Sequence, residues 1–290
     1  MSDDGSDLRR WLEQKLNSLL RRVGYRLGRT AETPSGRTVV NAYYRGHHFR
    51  CFRGDSVSEC ILTGEGWDIQ LQEVLDELEV EDGSEVIEIG ANIGASLVPI
   101  AANFPQLNFH CIEPVPEFFD LLKLNAASFG ADNVQIYQCA IGNDAGEDVK
   151  IHVGYGTAGL SSQVYHTANM GTLHLPSQTL DSFAGEDRVA LLKIDVDGHE
   201  LNVLRGASQL LRRDHPRIFM EYSPSYMSDP GGDAAKFRDL LHGAGYEHAK
   251  VWSNVGTLLA EEATWSEIHR LASDRTSDYQ YLDILLRAEG

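Results

Sequence analysis

From residue 85 onward the chain alternates between two hydrophobic periods. Short β-rich runs occur at 85–89, 108–113, 134–140, 189–195 and 218–222. Segments of helical period stand between and after them, at 94–103, 116–129, 200–212 and 234–244. This alternation admits few folds. Each strand must return parallel to its neighbour through a helix that covers one face of the sheet. The expected class is therefore α/β, a Rossmann-like, mostly parallel sheet with helices on both faces. Residues 149–153 read as an added hairpin strand, and runs near 246–252 and 281–287 complete the sheet.

The texture ahead of residue 60 is different. Residues 7–23 read as an amphipathic helix: Leu8, Trp11, Leu12, Leu16, Leu19, Leu20 and Val23 recur at spacings of three and four, with arginine and lysine on the remaining face. Such a helix suits its own domain, a homodimer mate or a membrane surface. Residues 33–36 form a turn, and 38–53 a strand pair broken near Gly46. The organisation expected is an N-terminal extension over 1–60 and one larger domain over 61–290.

Charge narrows the partners. The chain carries 43 acidic against 25 basic residues, a formal charge of −18. A field of that sign repels phosphate backbones, which argues against nucleic acid. Cys51, Cys60, Cys111 and Cys139 show no CxxC spacing, so a reduced, cytoplasmic protein is expected. No apolar run approaches the roughly 20 residues that span a bilayer.

The first strand of the alternating region ends in Glu88-Ile89-Gly90-Ala91-Asn92-Ile93-Gly94. In a doubly wound sheet, ligands bind beyond the carboxyl ends of the strands, where strand order reverses. Gly90 and Gly94 permit a tight turn and close approach to a ligand. The next strand ends in Glu113, a carboxylate suited to both hydroxyls of a ribose. A dinucleotide needs G-x-G-x-x-G, and here Asn92 stands where the middle glycine would be. S-adenosylmethionine (SAM) carries no phosphate, so acidic and polar side chains suit it. Glu88 would attract its ammonium group or the waters around it.

Five ordered segments make a more specific pattern. They are 86–97 (VIEIGANIGASL), 179–183 (TLDSF), 191–200 (LLKIDVDGHE), 203–207 (VLRGA) and 216–222 (PRIFMEY). Together they resemble the FkbM family of SAM-dependent methyltransferases, over about residues 60–250. The resemblance implies a class I methyltransferase sheet of about seven strands, the last antiparallel. It implies O-methylation of a hydroxyl on a sugar or natural product. It places Glu88, Gly90, Asn92 and Gly94 at the methionine end of SAM and Glu113 at the ribose. It sets Cys139, Ala140 and Ile141 along the adenine, and makes Glu65 an acidic element ahead of the domain.

A hydroxyl is a weak nucleophile, and methyl transfer to it usually needs a base. The segment Asp195-Val196-Asp197-Gly198-His199-Glu200 follows a buried-looking strand and emerges at the ligand edge. Asp195, Asp197 and His199 are therefore candidates for catalysis, as is Glu221 at the end of the next strand. Asp195 or Asp197 would equally cap the following helix. A magnesium or calcium ion on Asp195, Asp197 and Glu221 is the minority reading, and a metal-free site is expected. The segments 154–164 and 166–174 are candidates to close over the acceptor. Two other readings stay open: a nicotinamide oxidoreductase on a similar sheet, and a non-catalytic module that binds SAM or a partner.

Overall fold

The computed structural model describes residues 31–33, 35–78, 80–153, 158–159, 171–223, 234–273 and 281–288. The expected helix over 7–23 and most of the segments expected to close over the acceptor lie outside the described residues.

The described chain begins with three strands, β1 (Ala31–Glu32), β2 (Thr38–Tyr44) and β3 (His47–Phe52), which form an antiparallel sheet. Arg45 and Gly46 both take positive φ (47° and 89°) between β2 and β3. That is the geometry of the tight hairpin turn that matches strand twist. Two helices follow, α1 (Ser56–Thr63) and α2 (Leu71–Asp76). Asp55 starts α1, its carboxylate accepting from Ser58 N, and Gly64 ends it in the left-handed region.

The strand–helix units come next: β4 (Glu85–Ile89), β5 (Asn108–Ile112), α3 (Pro116–Phe129), β6 (Val134–Tyr137) and the short β7 (Ala140–Ile141). A hairpin layer is built from β8 (Asp148–Val153), β9 (Ala158–Gly159) and β10 (Gly171–Gln178), and is followed by α4 (Leu180–Phe183). The chain re-enters the main sheet with β11 (Val189–Ile194), α5 (Glu200–Arg205), α6 (Ser208–Asp214) and β12 (Arg217–Tyr222). It finishes with α7 (Ala234–Gly243), β13 (Tyr246–Ser253), β14 (Leu258–Thr264), α8 (Trp265–Ser273) and β15 (Leu282–Ala288).

Among the described residues, eight strands form the main sheet in the order β14-β13-β15-β12-β11-β4-β5-β6. The strands from β6 to β12 pair parallel, while β15 is antiparallel to both β12 and β13. This is the expected α/β class, with β14 added at the edge beyond the seven strands anticipated. Order reverses at β4, which has β5 on one side and β11 on the other. All five residues of β4 are buried, as are all six of β11. One apolar cluster covers each face of the sheet.

A third cluster joins the N-terminal strands to α3 and the hairpin layer through Phe49, Phe52, Ile61, Phe118 and Ile151. Arg37, 1% exposed, lies over the rings of Phe52 and Phe118 and pairs with Glu117 at 3.8 Å. The boundary expected at residue 60 falls inside α1.

Two helices differ from expectation. Residues 94–103 form successive turns ending in a single 3₁₀ turn (Ala101–Asn103), not a continuous helix. Asn92 and Gly94 both hold positive φ at its start, and Asn133 Nδ2 donates to the carbonyls of Ala101, Phe104 and Leu107 where the segment ends. The helix expected over 200–212 is split into α5 and α6 at Gly206-Ala207. A Cβ on Gly206 would stand 2.0 Å from the carbonyl oxygen of Gly142, so the backbones pass too close for any side chain. Among the described residues, no helix is long and apolar enough to cross a membrane, and all four cysteines are free.

Candidate active site

The carboxyl ends of β4, β5, β11 and β12 open into a cavity of about 900 Å³. That lies within the usual range for small-molecule sites. Its floor is the turn after β4. Gly90 N and Ala91 N both donate to Ile112 O (3.0 and 2.9 Å), which locks this turn to the end of β5. Gly90 has φ 91°, and a Cβ there would stand 1.8 Å from the carbonyl oxygen of Asp195. The glycine is therefore required by the β11–α5 corner pressing on it. Gly94 is not part of the cavity wall. Its missing side chain makes room for Leu122 of α3, 2.7 Å from where a Cβ would sit.

Glu113, 4% exposed, ties the two loops together. Its Oε2 accepts from Asn92 N (2.9 Å) and its Oε1 from Val115 N (2.8 Å). Burial nevertheless pushes its pKa up to about 8. Cys139, Ala140 and Ile141 line the cavity beside it, together with Val115. Glu65 also lines the cavity, on the exposed loop before α2.

Glu88 is placed elsewhere than expected. It is 0% exposed, lies beneath Lys193 and forms no part of the cavity wall. Lys193, on the neighbouring strand and 2% exposed, is the hub of a cluster of carboxylates. Its Nζ lies 3.1 Å from Asp68 Oδ2, 3.2 Å from Asp195 Oδ2 and 3.3 Å from Glu88 Oε1. Its pKa is raised well above the usual value, because these carboxylates outweigh the burial that opposes its charge.

Asp195, Asp197, His199 and Glu221 all line the cavity. Their environments differ. Asp195 is paired with Lys193. Asp197 (φ 49°) and Gly198 (φ 99°) turn the chain into α5, and Glu200 Oε1 accepts from Gly198 N at 3.1 Å. His199 is held as a neutral ring. Asn202 Oδ1 takes Arg205 Nη1, so its Nδ2 donates to His199 Nδ1 (3.2 Å), and the proton resides on Nε2. Nε2 is buried beside the Gly142 backbone, and burial lowers the imidazole pKa to about 4.

Glu221 is half-buried at the end of β12, directly opposite Asp283 of β15. Among the described residues its carboxylate makes no hydrogen bond or ion pair. Burial, and then Asp195, Asp197 and Asp283, raise its pKa well above the ordinary carboxylate value. Asp283 itself accepts from Gln70 Nε2 at 2.9 Å. Asp68, Ser96, Gln70 and Asp283 belong to this site and were not legible in the sequence. Asp68 follows the noted Glu65 by three positions, but its direction is decided by Lys193 and Ser96. Among the described residues, no group of three or more His, Cys, Asp or Glu has the geometry to hold a metal.

The donor set fits SAM better than a dinucleotide. Among the described lining residues, Lys193 alone carries a fixed positive charge, and three carboxylates already occupy it. A pyrophosphate would meet no available cation. A ligand with a sulfonium and an ammonium would meet Asp68, Glu113 and Asp195, and its base would meet the apolar Val115, Ala140 and Ile141.

Comparison with known proteins agrees. The methyltransferase FkbM domain model matches residues 88–248, more than half of the chain. The chain is 26% identical over 234 residues to 31-O-demethyl-FK506 methyltransferase FkbM of Streptomyces tacrolimicus, spanning 69% of this chain and 84% of that protein. It is 26% identical over 189 residues to Methyltransferase 1 of Beauveria bassiana, spanning 57% of this chain and 73% of that protein. Among solved structures it is similar to methyltransferase FkbM from Methylobacillus flagellatus KT, at 14% identity and a TM-score of 0.46. That match covers 79% of this chain and 52% of the other, so the chain spans about half of that protein's length. The chain belongs to the FkbM family of methyltransferases, with SAM as its methyl donor.

Proposed function

We propose that the chain is an O-methyltransferase whose acceptor is a hydroxyl of a small carbohydrate or natural product, with Glu221 as the base. The observation that carries this reading is the Glu221 carboxylate, which lines the cavity without a hydrogen bond among the described residues and has a raised pKa. An unengaged carboxylate whose pKa is raised above the ordinary carboxylate value is a stronger base toward the proton of an alcohol. His199 fits this task poorly, because its free lone pair is taken by Asn202 and its pKa is about 4. Asp195 is committed to Lys193. The name of the Streptomyces relative, a 31-O-demethyl-FK506 methyltransferase, supports transfer to oxygen on a natural product.

Bound SAM supplies an electrophilic methyl group on sulfur. The chain's own residues then orient, exclude water and move a proton. The turn at Gly90–Asn92 and the Glu113 carboxylate bind and orient the cofactor. Glu221 takes the acceptor proton, leaving the oxygen free to attack in line. The apolar wall of Val115, Ala140 and Ile141 keeps water from that part of the cavity.

The test is methyl transfer from labelled SAM to a panel of polyol and macrolide acceptors, with the product located by NMR. The expected product is a methyl ether. Glu221→Gln should keep SAM affinity and lose about 10²–10⁴ in kcat. Because the base works deprotonated, the wild-type rate should rise with pH through the raised Glu221 pKa, above the ordinary carboxylate range of about 4.3. Methylation at nitrogen or carbon, or a Glu221→Gln enzyme within about threefold of wild type, would overturn the reading.

A further inference from the structure

We propose that Asp68 is the acidic residue that takes the ammonium of the methionine end of SAM, and that Lys193 is the positioning residue that holds it there. This rests on the cofactor alone, not on the acceptor or on Glu221 as base.

The strand-end acid, Glu88, occupies the sequence position from which such a contact is expected. It faces Lys193 inside the sheet and does not reach the cavity. Asp68 does reach it, beside Gly90 and Asp195. The two oxygens of Asp68 are differently engaged. Oδ2 accepts from Ser96 Oγ at 2.6 Å and pairs with Lys193 Nζ at 3.1 Å. Among the described residues, Oδ1 carries no hydrogen bond. A carboxylate fixed through one oxygen and open at the other is a preorganised acceptor for a further N–H donor.

The backbone points the same way. Asp68 has φ 46°, in the left-handed region that aspartate enters more readily than most side chains but still at a cost. Such strain persists only where surrounding contacts over-determine it. Here they do: Ser96 and Lys193 hold the side chain, and Leu71 N donates to Asp68 O at 3.0 Å as α2 begins. The preceding residue is also tethered, with Trp67 N 3.4 Å from Tyr44 Oη of the N-terminal sheet.

Charge complementarity identifies the ligand group. Asp68, Glu88 and Asp195 all lie within 3.3 Å of Lys193 Nζ, three carboxylates on one ammonium. The side chain of Asp68 is 12% exposed and that of Asp195 26%, while Lys193 only borders the cavity at 2% and Glu88 is sealed below it. The unbalanced negative charge therefore faces the cavity through Asp68 and Asp195, where a primary ammonium offsets it. Lys193 is engaged by three carboxylates. It acts through Asp68, fixing the loop before α2 to the strands beneath.

The experiment is isothermal calorimetry of the full chain with three ligands: SAM, S-adenosylhomocysteine and 5′-methylthioadenosine. The last shares the adenosine and sulfur but lacks the amino-acid end. Asp68→Asn should weaken SAM and S-adenosylhomocysteine by roughly ten- to a hundredfold, the range for a hydrogen bond to a charged group. Its affinity for 5′-methylthioadenosine should stay within about twofold of wild type, since no contact to that ligand is removed. Lys193→Met should give the same selective loss. Should that variant fail to fold, Ser96→Ala replaces it, with a smaller loss of the same selectivity. Unchanged SAM affinity in Asp68→Asn would overturn the proposal. So would an equal loss for all three ligands, which would make Asp68 merely structural.

Discussion

Gly90 and Gly83 make a matched pair for testing why the turn after β4 contains glycine. Their φ values are 91° and 89°, so alanine meets the same left-handed strain at both, about 1–2 kcal/mol. Their surroundings differ. A Cβ on Gly83 meets nothing within 4 Å, while one on Gly90 stands 1.8 Å from Asp195 O and 2.8 Å from its carbonyl carbon. An ordinary C···O contact is about 3.3 Å, so the corner after β11 must retreat by about 1.5 Å. That corner is held by Asp195 N donating to Ile89 O at 3.0 Å and by the Asp195–Lys193 pair at 3.2 Å. Forced overpacking of this kind adds roughly 1–3 kcal/mol. At about 2–4 °C per kcal/mol for a larger domain, Gly90→Ala should melt roughly 2–12 °C below Gly83→Ala in differential scanning calorimetry. SAM affinity by titration should be unchanged in Gly83→Ala and fall about tenfold or more in Gly90→Ala, because the displaced corner carries the Asp195 carboxylate. Equal melting temperatures and equal SAM affinities for the two variants would refute the argument.

Two further outcomes follow from buried polar groups. His199 is neutral in the fold, with a pKa lowered by burial from 6.5 to about 4, so the unfolded chain binds the extra proton between those values. Its contribution is present above pH 6.5 and is lost as the pH falls toward 4, on the order of 3 kcal/mol in all. His199→Gln should lack this loss when urea unfolding is compared at pH 7.5 and 4.5. Comparison with wild type isolates it from Glu113 and Glu200, whose raised pKa values act with the opposite sign. A parallel pH dependence in the two proteins would contradict the burial argument. Asn125, 1% exposed, accepts from Arg50 N (2.7 Å) and donates to Arg50 O (2.9 Å) and Ile93 O (2.8 Å), joining β3 to the turn after β4. Asn125→Ala strands these backbone groups and should lower unfolding free energy by roughly 2–4 kcal/mol in urea. A loss below about 1 kcal/mol would show that the link is dispensable.

Much of the sheet was legible in local pattern. The run of buried residues at 85–89, the helix 116–129 with Pro116 in its first turn and Gly130 after its end, and the hairpin turn at Gly46 all carry short-range signals. Each reflects steric or hydrogen-bonding preferences of neighbouring residues. Five short motifs in order were likewise sufficient to place the family. The failures lie where distant backbone decides local form. The helical period of 94–103 is real, yet the segment enters through left-handed Asn92 and Gly94 and is held by short-range turns, with Asn133 anchoring its end. The helix at 200–212 divides where Gly206 passes the Gly142 carbonyl and Asp181 takes over the bonding, its N donating to Gly206 O and its carboxylate accepting from Leu210 N.

The site divides along the same line. Sequence alone determined which strand ends carry acids and which loops carry glycines, since both follow from residue type and period. It placed Glu113, Asp195, Asp197, His199 and Glu221 at one sheet edge, where the structure has them. Only the tertiary structure decided which acid faces the cavity and which is sealed. Glu88 and Asp68 are both carboxylates near glycine-rich turns, and residue type does not say which of them a ligand meets. The distinction arises from Lys193, which lies between them in space and remote from both in sequence. Likewise the contact of Gln70 with Asp283 spans 213 residues. Such pairings are set by the register of strands and the packing of loops upon them. Electrostatic energy depends on the resulting separations in space, a few ångströms here, which chain order does not encode.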